Sequence, residues 1–297
     1  MYLPLVEEGQ TSKRRILITI VMAILAIGGT CSWCWADPAA GTVSEDTLAD
    51  EVDDPLSKLT QFQLKDEYTP AEYGTNAQLN TLQFRSVVAV RPYSLMPFDQ
   101  LIRPTIQVVT VPRDGKTAST TTALDDMQLF DLFRIPFPDY KTTGFLWGVG
   151  PYFVFPTSTS QFTGHGAWQL GPAWAFSWRI GRLKIAALFQ QSTSFAYTSS
   201  HSVSVASMQI QPILSYDIGR GWYLKSSDAN WRINMRHKTS TEIPLSAGIG
   251  KVWNVGDGMA INTDVSGEWM VYRQFDPQTE QFTLNFKVSL LLPQLYL

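Results

Sequence analysis

From about residue 60 onward, apolar and polar side chains take turns along the chain. Near its end, Phe282, Leu284, Phe286, Val288 and Leu290 alternate with Gln281, Thr283, Asn285, Lys287 and Ser289. A period of two sends the two sets to opposite faces of an extended strand. A second run puts Met259, Ile261, Thr263, Val265, Gly267, Trp269 and Val271 on one face. Its other face carries Asn262, Asp264, Ser266 and Glu268, with Met270 and Tyr272 near the end. A third sets Trp168, Leu170, Pro172, Trp174, Phe176 and Trp178 against Gln169, Gly171, Ala173, Ala175, Ser177 and Arg179.

The pattern predicts twelve strands, near 60–68, 78–90, 101–112, 123–134, 144–155, 165–179, 182–192, 205–218, 220–235, 242–254, 257–273 and 279–291. In the second half their connections alternate in length. Ile180-Gly181, Gly219 and Gly256-Asp257-Gly258 mark tight turns, whereas 156–164 and 193–204 are longer and rich in Ser and Thr. Alternation alone would also suit a soluble sandwich. The aromatic residues and the strand count decide against it. Trp168 and Trp178 lie ten residues apart on one face, which in a tilted strand spans roughly 25 Å, the height of a lipid-facing band. Trp147, Trp168, Trp178, Trp222 and Trp269 are accordingly expected at the membrane interfaces. Twelve is also an even count, as in bacterial single-chain barrels. The expected fold class is all-β, a closed antiparallel transmembrane β-barrel of about twelve strands over residues 60–297. Pro151, Pro172, Pro212 and Pro244 resist it, because a closed barrel has no edge to hide them. A bulge shared by Gly150-Pro151 and Gly171-Pro172 is the expected accommodation.

Composition agrees. Charged residues make up only 16% of the 297, against 44% apolar, which favours a surface that meets something other than water. After residue 36 no apolar run is long enough for a spanning helix. The first 36 residues read as a cleaved export signal: Lys13, Arg14 and Arg15 precede an apolar run from Ile16 to Gly29, and a cut after Ala36 is expected, with Ala40 as the alternative. Both cysteines, Cys31 and Cys34, fall in this segment, so the mature chain would have no disulfide and no thiolate site. Its removal takes away three basic and two acidic residues, moving the net charge from −3 to about −4. Nothing resembles the basic footprint of a nucleic-acid binder. Residues 37–59 carry seven acids before the first base, Lys58. They are expected to form a flexible, solvated periplasmic lead-in.

The inward-facing polar side chains are the candidate functional residues. By alternation the lumen should be lined by Arg85, Gln169, Arg179, Lys184, Gln209, Gln211, Asp217, Lys225, Arg232, Arg236, Asp264, Glu268, Asn285 and Lys287, with Gln83 and Gln281 beside them. Charges enclosed in a barrel must pair or meet water, and the bases from 179 to 236 are expected to pair with Asp217, Asp264 and Glu268. The arrangement fits either a narrow lined channel or a packed, ion-paired interior. A catalytic set is not found. His165, His201 and His237 fall in or beside outward-facing loops with no metal-ligand spacing. Ser200-His201-Ser202 is a chain-neighbour pair rather than a nucleophile with its base. No enzyme activity, cofactor or metal is expected.

Several runs carry a family resemblance: Pro55-Leu56-Ser57-Lys58-Leu59, Gln128-Leu129-Phe130-Asp131-Leu132-Phe133, the run Trp147 to Thr157, Trp168 to Ala173, Gln211 to Tyr216, Gly221 to Lys225 and Ile243 to Val252. Over most of residues 55 to 290 the chain resembles the outer-membrane proteins associated with meta-pathway phenol degradation. The resemblance implies a transporter-like barrel that tolerates strand prolines. The C-terminus departs from many outer-membrane barrels, which end on an aromatic residue, by continuing through Pro293 to Tyr296-Leu297. The expected function is a passive outer-membrane channel for small, hydrophobic or aromatic compounds, its partners being the lipid bilayer and the solute. The alternatives are a structural barrel whose outer loops bind a partner and a lipid-modifying barrel enzyme.

Overall fold

The computed structural model describes residues 43–113, 119–136, 143–198, 202–236, 240–256, 258–274 and 279–297. The segment expected to be an export signal, with its two cysteines, and His201 and His237 lie outside them. Among the described residues a short helix, α1 (Glu45–Glu51), precedes fourteen strand segments: β1 (Thr60–Glu72), β2 (Leu79–Val90), β3 (Asp99–Pro112), β4 (Thr120–Leu124), β5 (Met127–Pro136), β6 (Phe145–Phe155), β7 (Ala167–Ile180), β8 (Leu183–Tyr197), β9 (Ala206–Gly219), β10 (Trp222–Ser226), β11 (Trp231–Asn234), β12 (Thr241–Gly256), β13 (Met259–Arg273) and β14 (Glu280–Leu292). β4 and β5 both pair with β3 and form one stave, interrupted at Asp125-Asp126. β10 and β11 both bridge β9 and β12 and form another, interrupted at residues 227–230. The result is twelve antiparallel staves, each hydrogen-bonded to the next in sequence. β14 closes on β1 with Thr60 opposite Leu292. Among the described residues the ring of staves closes on itself and leaves no stave with a free edge.

The alternation is realised inside out. Phe286 is 53% exposed while its neighbour Lys287 is 4% exposed. The same inversion holds for Leu284 against Asn285 and for Val265 against Asp264. Apolar side chains outside and polar ones inside are the reverse of a water-soluble sandwich, and they make the outer wall a lipid-facing surface. The five expected interface tryptophans all lie on that wall, each more than a third exposed. Trp168 and Trp269 sit toward the end that carries the long loops. Trp147, Trp178 and Trp222 sit toward the end that carries short turns, such as Arg220-Gly221 between β9 and β10. In that turn Gly219, Arg220 and Gly221 all have positive φ (102°, 58° and 74°), which is why glycine flanks the one non-glycine residue.

The prolines are accommodated differently from the expected bulge. Pro151 stands directly opposite Pro172, and the register on both sides is unbroken. Each proline lacks the N–H that would bond outward to the next stave. The ladder therefore skips on the far sides, opposite Asp131 and Leu132 on β5 and opposite Gln191 and Ser192 on β8. The preceding glycines let the backbones close in there. A Cβ on Gly150 would stand 1.7 Å from the Asp131 carbonyl oxygen, and one on Gly171 2.1 Å from that of Gln191. A true register shift occurs at Pro244.

Candidate functional site

The enclosed interior is divided by the segment before β1. The expectation of a solvated lead-in is overturned here for residues 43–59, which sit inside the turn end of the barrel. Ser44 caps α1 by accepting from the Thr47 N–H at 3.2 Å. The first-turn acids fasten the helix to the rim. Asp46 accepts from the Gly221 N–H at 2.6 Å, and Glu45 accepts from the Asn254 N–H at 3.0 Å. Leu48 and Val52, four residues apart on one helical face, pack with Leu59, Tyr223, Val252, Ala260 and Leu291. Leu56 fills a second cluster with Ala89, Leu101, Phe130, Leu132 and Ala175. Burial of these apolar side chains, and the counter-charges waiting inside, outweigh the disorder expected from the acidic composition.

This plug delivers three carboxylates to the barrel's bases, Asp50 from the last turn of α1 and Asp53 and Asp54 from just beyond it. Asp50 pairs with Arg179. Asp54 meets Lys184 at 3.1 Å and accepts from Ser177 Oγ at 2.8 Å. Asp53 lies 2.6 Å from Lys287 and 3.5 Å from Lys225. The inner wall completes the network: Lys225 reaches Asp264 at 2.6 Å and Asp228 at 2.9 Å, and Lys65 reaches Glu67 at 2.7 Å and Asp228 at 3.1 Å. Asp228 belongs to the break between β10 and β11, where the chain turns inward and Ala229 is 1% exposed.

Above this belt, at the loop end, the interior opens into a vestibule of about 460 Å³ lined by residues including Gln128, Tyr152, Gln169, Gln209, Arg232, Glu242 and Glu280. Arg232 bridges Glu242 at 2.7 Å and Glu280 at 2.5 Å. Two smaller cavities continue toward the turn end. One of about 90 Å³ is lined by Glu67, Arg232 and Glu268 among others, and one of about 40 Å³ lies between the plug and the wall at Arg85, Arg103, Gln211 and Lys287.

Most of the residues expected to face the interior do so. Gln169, Lys184, Lys225, Asp264, Asn285 and Lys287 are buried, and Arg85, Gln209, Gln211, Arg232 and Glu268 border the cavities. Two positions differ in exposure, and a third, Asp217, is buried as expected but differs in its partner. Arg236 lies past the end of β11 and is exposed, because the stave has ended before it. Arg179 is half exposed at the rim, where it meets Asp50. Asp217 turns its carboxylate to the Gly219 N–H at 2.7 Å, closing the β9–β10 turn instead of pairing with a base. The counter-charges are also largely not those expected: Asp264 takes part, but Asp50, Asp53, Asp54 and Asp228 carry most of the pairing. Lys65, Arg103 and Tyr152 were missed, although each lies two residues from another buried position, Gln63, Leu101 and Val154 respectively. His165 is exposed, and its backbone N–H donates to Asp126 at 2.8 Å.

The seat of Asp53 is sensitive to acid. Burial alone would raise its pKa, but Lys225 and Lys287 outweigh that and hold it down at about 2. A released Asp53 would titrate near 3.9. Its contribution to plug seating is therefore complete above about pH 4 and lost as pH falls through 2. Asp50 opposes this, because burial raises its pKa against the pull of Arg179 and Lys184. Pepsin cleavage within residues 43–59 of the detergent-solubilised protein is expected to rise between pH 4 and pH 2, and Asp53→Asn should flatten that rise. An identical profile in the variant would remove Asp53 from the seat.

Among solved structures, the chain is similar to an outer membrane channel from Pseudomonas putida F1. The two share 13% identity and a TM-score of 0.56, over 86% of this chain and 100% of that one. It is also similar to the KdgM porin in complex with disordered oligogalacturonate (7% identity, TM-score 0.45, 78% and 98% covered) and to the CymD monoaromatic hydrocarbon channel (8%, 0.41, 84% and 91%). No protein-family model matches the chain, and no curated protein matches it. The first likeness extends over the whole of the barrel described above, so the chain has the fold of an outer-membrane channel barrel.

Proposed function

We propose that this protein is a passive outer-membrane channel for small solutes, entered through the loop-end vestibule and closed at the turn end by residues 43–59. The observation that carries this reading is the polar, cavity-bearing interior inside an apolar wall. An eight-strand barrel is filled by its own side chains. Twelve staves enclose more, and here the surplus is divided between the vestibule and a plug made from a separate stretch of chain. The plug is held mainly by ion pairs and two small apolar clusters, contacts that can be exchanged for water and counter-ions when it leaves.

Small hydrophobic or aromatic compounds are the proposed solutes. The resemblance of the strand motifs to phenol-degradation outer-membrane proteins supports this class, as do the Tyr152 ring in the vestibule and the Phe130 ring in the cavity between plug and wall. The mature protein needs neither cofactor nor energy source for such a role, and no catalysis is proposed for it. The export signal and outer-membrane location belong to the same reading.

Planar-bilayer recording tests it. The wild-type chain is expected to conduct weakly. The full chain carrying Asp50→Asn, Asp53→Asn and Asp54→Asn should conduct at least about tenfold better, because the plug loses its charged anchors. Proteoliposomes with the same variant should swell faster in an aromatic solute than in a sugar of similar size. A variant that folds and inserts yet neither conducts nor swells would remove the channel reading.

A further inference from the structure

Two arginines in the deepest cavity have no counter-charge. Arg103 points inward from β3 and stacks on the Phe130 ring, with its guanidinium carbon 4.0 Å from the ring centroid. Among the described residues it makes no hydrogen bond and no ion pair, and its Nε is walled in without an acceptor. Arg85, on the neighbouring stave, donates once, to Gln83 Oε1 at 2.9 Å, and its Nε is likewise orphaned. Both line the cavity of about 40 Å³ between the plug and the wall. The acids whose field reaches Arg85 are Asp53, Glu67 and Asp228. All are already engaged, Asp53 by Lys225 and Lys287, Glu67 by Lys65, and Asp228 by Lys65 and Lys225.

Enclosed guanidinium groups with unmade hydrogen bonds carry a large desolvation cost unless an anion meets them. The cavity of about 40 Å³ has room for one small anion, since a single water needs about 10–15 Å³ of such space. Its position also joins it to the solute path. Arg103 stands opposite Phe130 in the ladder, and Phe130 stands opposite Tyr152, which lines the vestibule. The planar fork of arginine suits a carboxylate better than a spherical ion.

We propose that Arg85 and Arg103 form an anion-binding site for a single carboxylate-sized anion, either a free inorganic anion or the carboxylate of a small organic acid in transit. The site deepens the channel reading by naming the charge of the preferred solute, an anionic one. The plug acids beside it, Asp53 and Asp54, pair with Lys184, Lys225 and Lys287 and with neither Arg85 nor Arg103. When the plug withdraws, Asp50, Asp53 and Asp54 leave with it, and the constriction keeps six bases, Lys65, Lys184, Lys225, Lys287, Arg85 and Arg103, against three acids, Glu67, Asp228 and Asp264. The opened pore is therefore selective for anions.

Two measurements on the full chain test this. The first needs no conduction: benzoate or chloride should raise the temperature at which the wild-type barrel unfolds in detergent, and Arg103→Gln should abolish that rise. Stabilisation by benzoate well beyond that by chloride identifies the solute carboxylate as the ligand, and equal stabilisation identifies an inorganic anion. The second is the reversal potential of the plug-loosened triple variant in a potassium chloride gradient. Chloride should be preferred about fivefold, and adding Arg85→Gln or Arg103→Gln should cut that preference by at least half. Arg103→Lys, which keeps the charge but loses the fork, should hold the chloride preference while weakening the benzoate effect about tenfold. Neither anion stabilising the wild type, or a preference unchanged by both glutamine variants, would overturn the site. A triple variant that conducts nothing while benzoate still binds would leave the site standing and remove only the channel reading.

Discussion

Replacing Lys225 by methionine should destabilise the barrel by about 3–5 kcal/mol, the cost of leaving enclosed charges without their partner. The Lys225 side chain is fully buried, and its ammonium is shared by Asp264, Asp228 and Asp53. Lys287 and Lys65 remain nearby, but each already serves two acids of the same network. Removing Lys225 therefore leaves more carboxylates than ammonium groups in a space closed to bulk water. The folded barrel is expected to migrate faster than the heated chain on a gel, and the temperature at which the fast band vanishes would report the loss. Adding Asp228→Asn to the methionine variant should recover part of it, since the two residues act on one network. A methionine variant that melts with the wild type would show that water, and not Lys225, neutralises these acids.

The second large effect is expected at Gly150. Substituting alanine would place a Cβ 1.7 Å from the Asp131 carbonyl oxygen and 2.8 Å from its carbonyl carbon. The obstacle is backbone in a neighbouring stave, which cannot rotate away as a side chain could. Relief requires β5 and β6 to part where Pro151 has already removed one ladder bond. A loss of about 3 kcal/mol or more follows, and valine in place of alanine should prevent assembly of the fast-migrating form altogether. Gly171→Ala should behave alike, because its Cβ would meet the Gln191 carbonyl oxygen at 2.1 Å. Gly181→Ala is the control. Nothing lies within 4 Å of its added Cβ, so only its positive φ of 61° opposes the change, at about 1 kcal/mol. Equal losses at Gly150 and Gly181 would refute the close-approach account.

The barrel was legible because the alternation is local. Ten consecutive residues from Gln281 to Leu290 obey it without exception, and the structure buries Thr283, Asn285, Lys287 and Ser289 while exposing Leu284, Phe286 and Leu290. Twelve staves, their order and the short turns at Gly181 and Gly219–Gly221 follow from the same reading. The inner face was legible by parity wherever a stave is regular. It failed where parity stops applying: at Arg236, beyond a strand end, and at Asp228, within a strand break. The plug was half visible. Ser44 as a cap, Glu45 and Asp46 in the first turn, and Leu48 and Val52 four residues apart spell a helix start. The seven acids of the segment outweighed that signal and led to the expectation of a solvated tail.

What the chain determines by itself is which side of each stave meets lipid and which side is enclosed, because side-chain direction in a strand depends only on neighbours one and two residues away. What only the tertiary structure decides is who neutralises whom inside. Asp53 meets Lys287 and Lys225, both more than 170 positions along the chain, and that meeting exists only once the sheet has closed and the segment before it has entered the bore. Pairing of enclosed charges depends on distance in space, which no local pattern encodes. Two arginines left without a counter-charge, Arg85 and Arg103, become visible only after every other pair has been found.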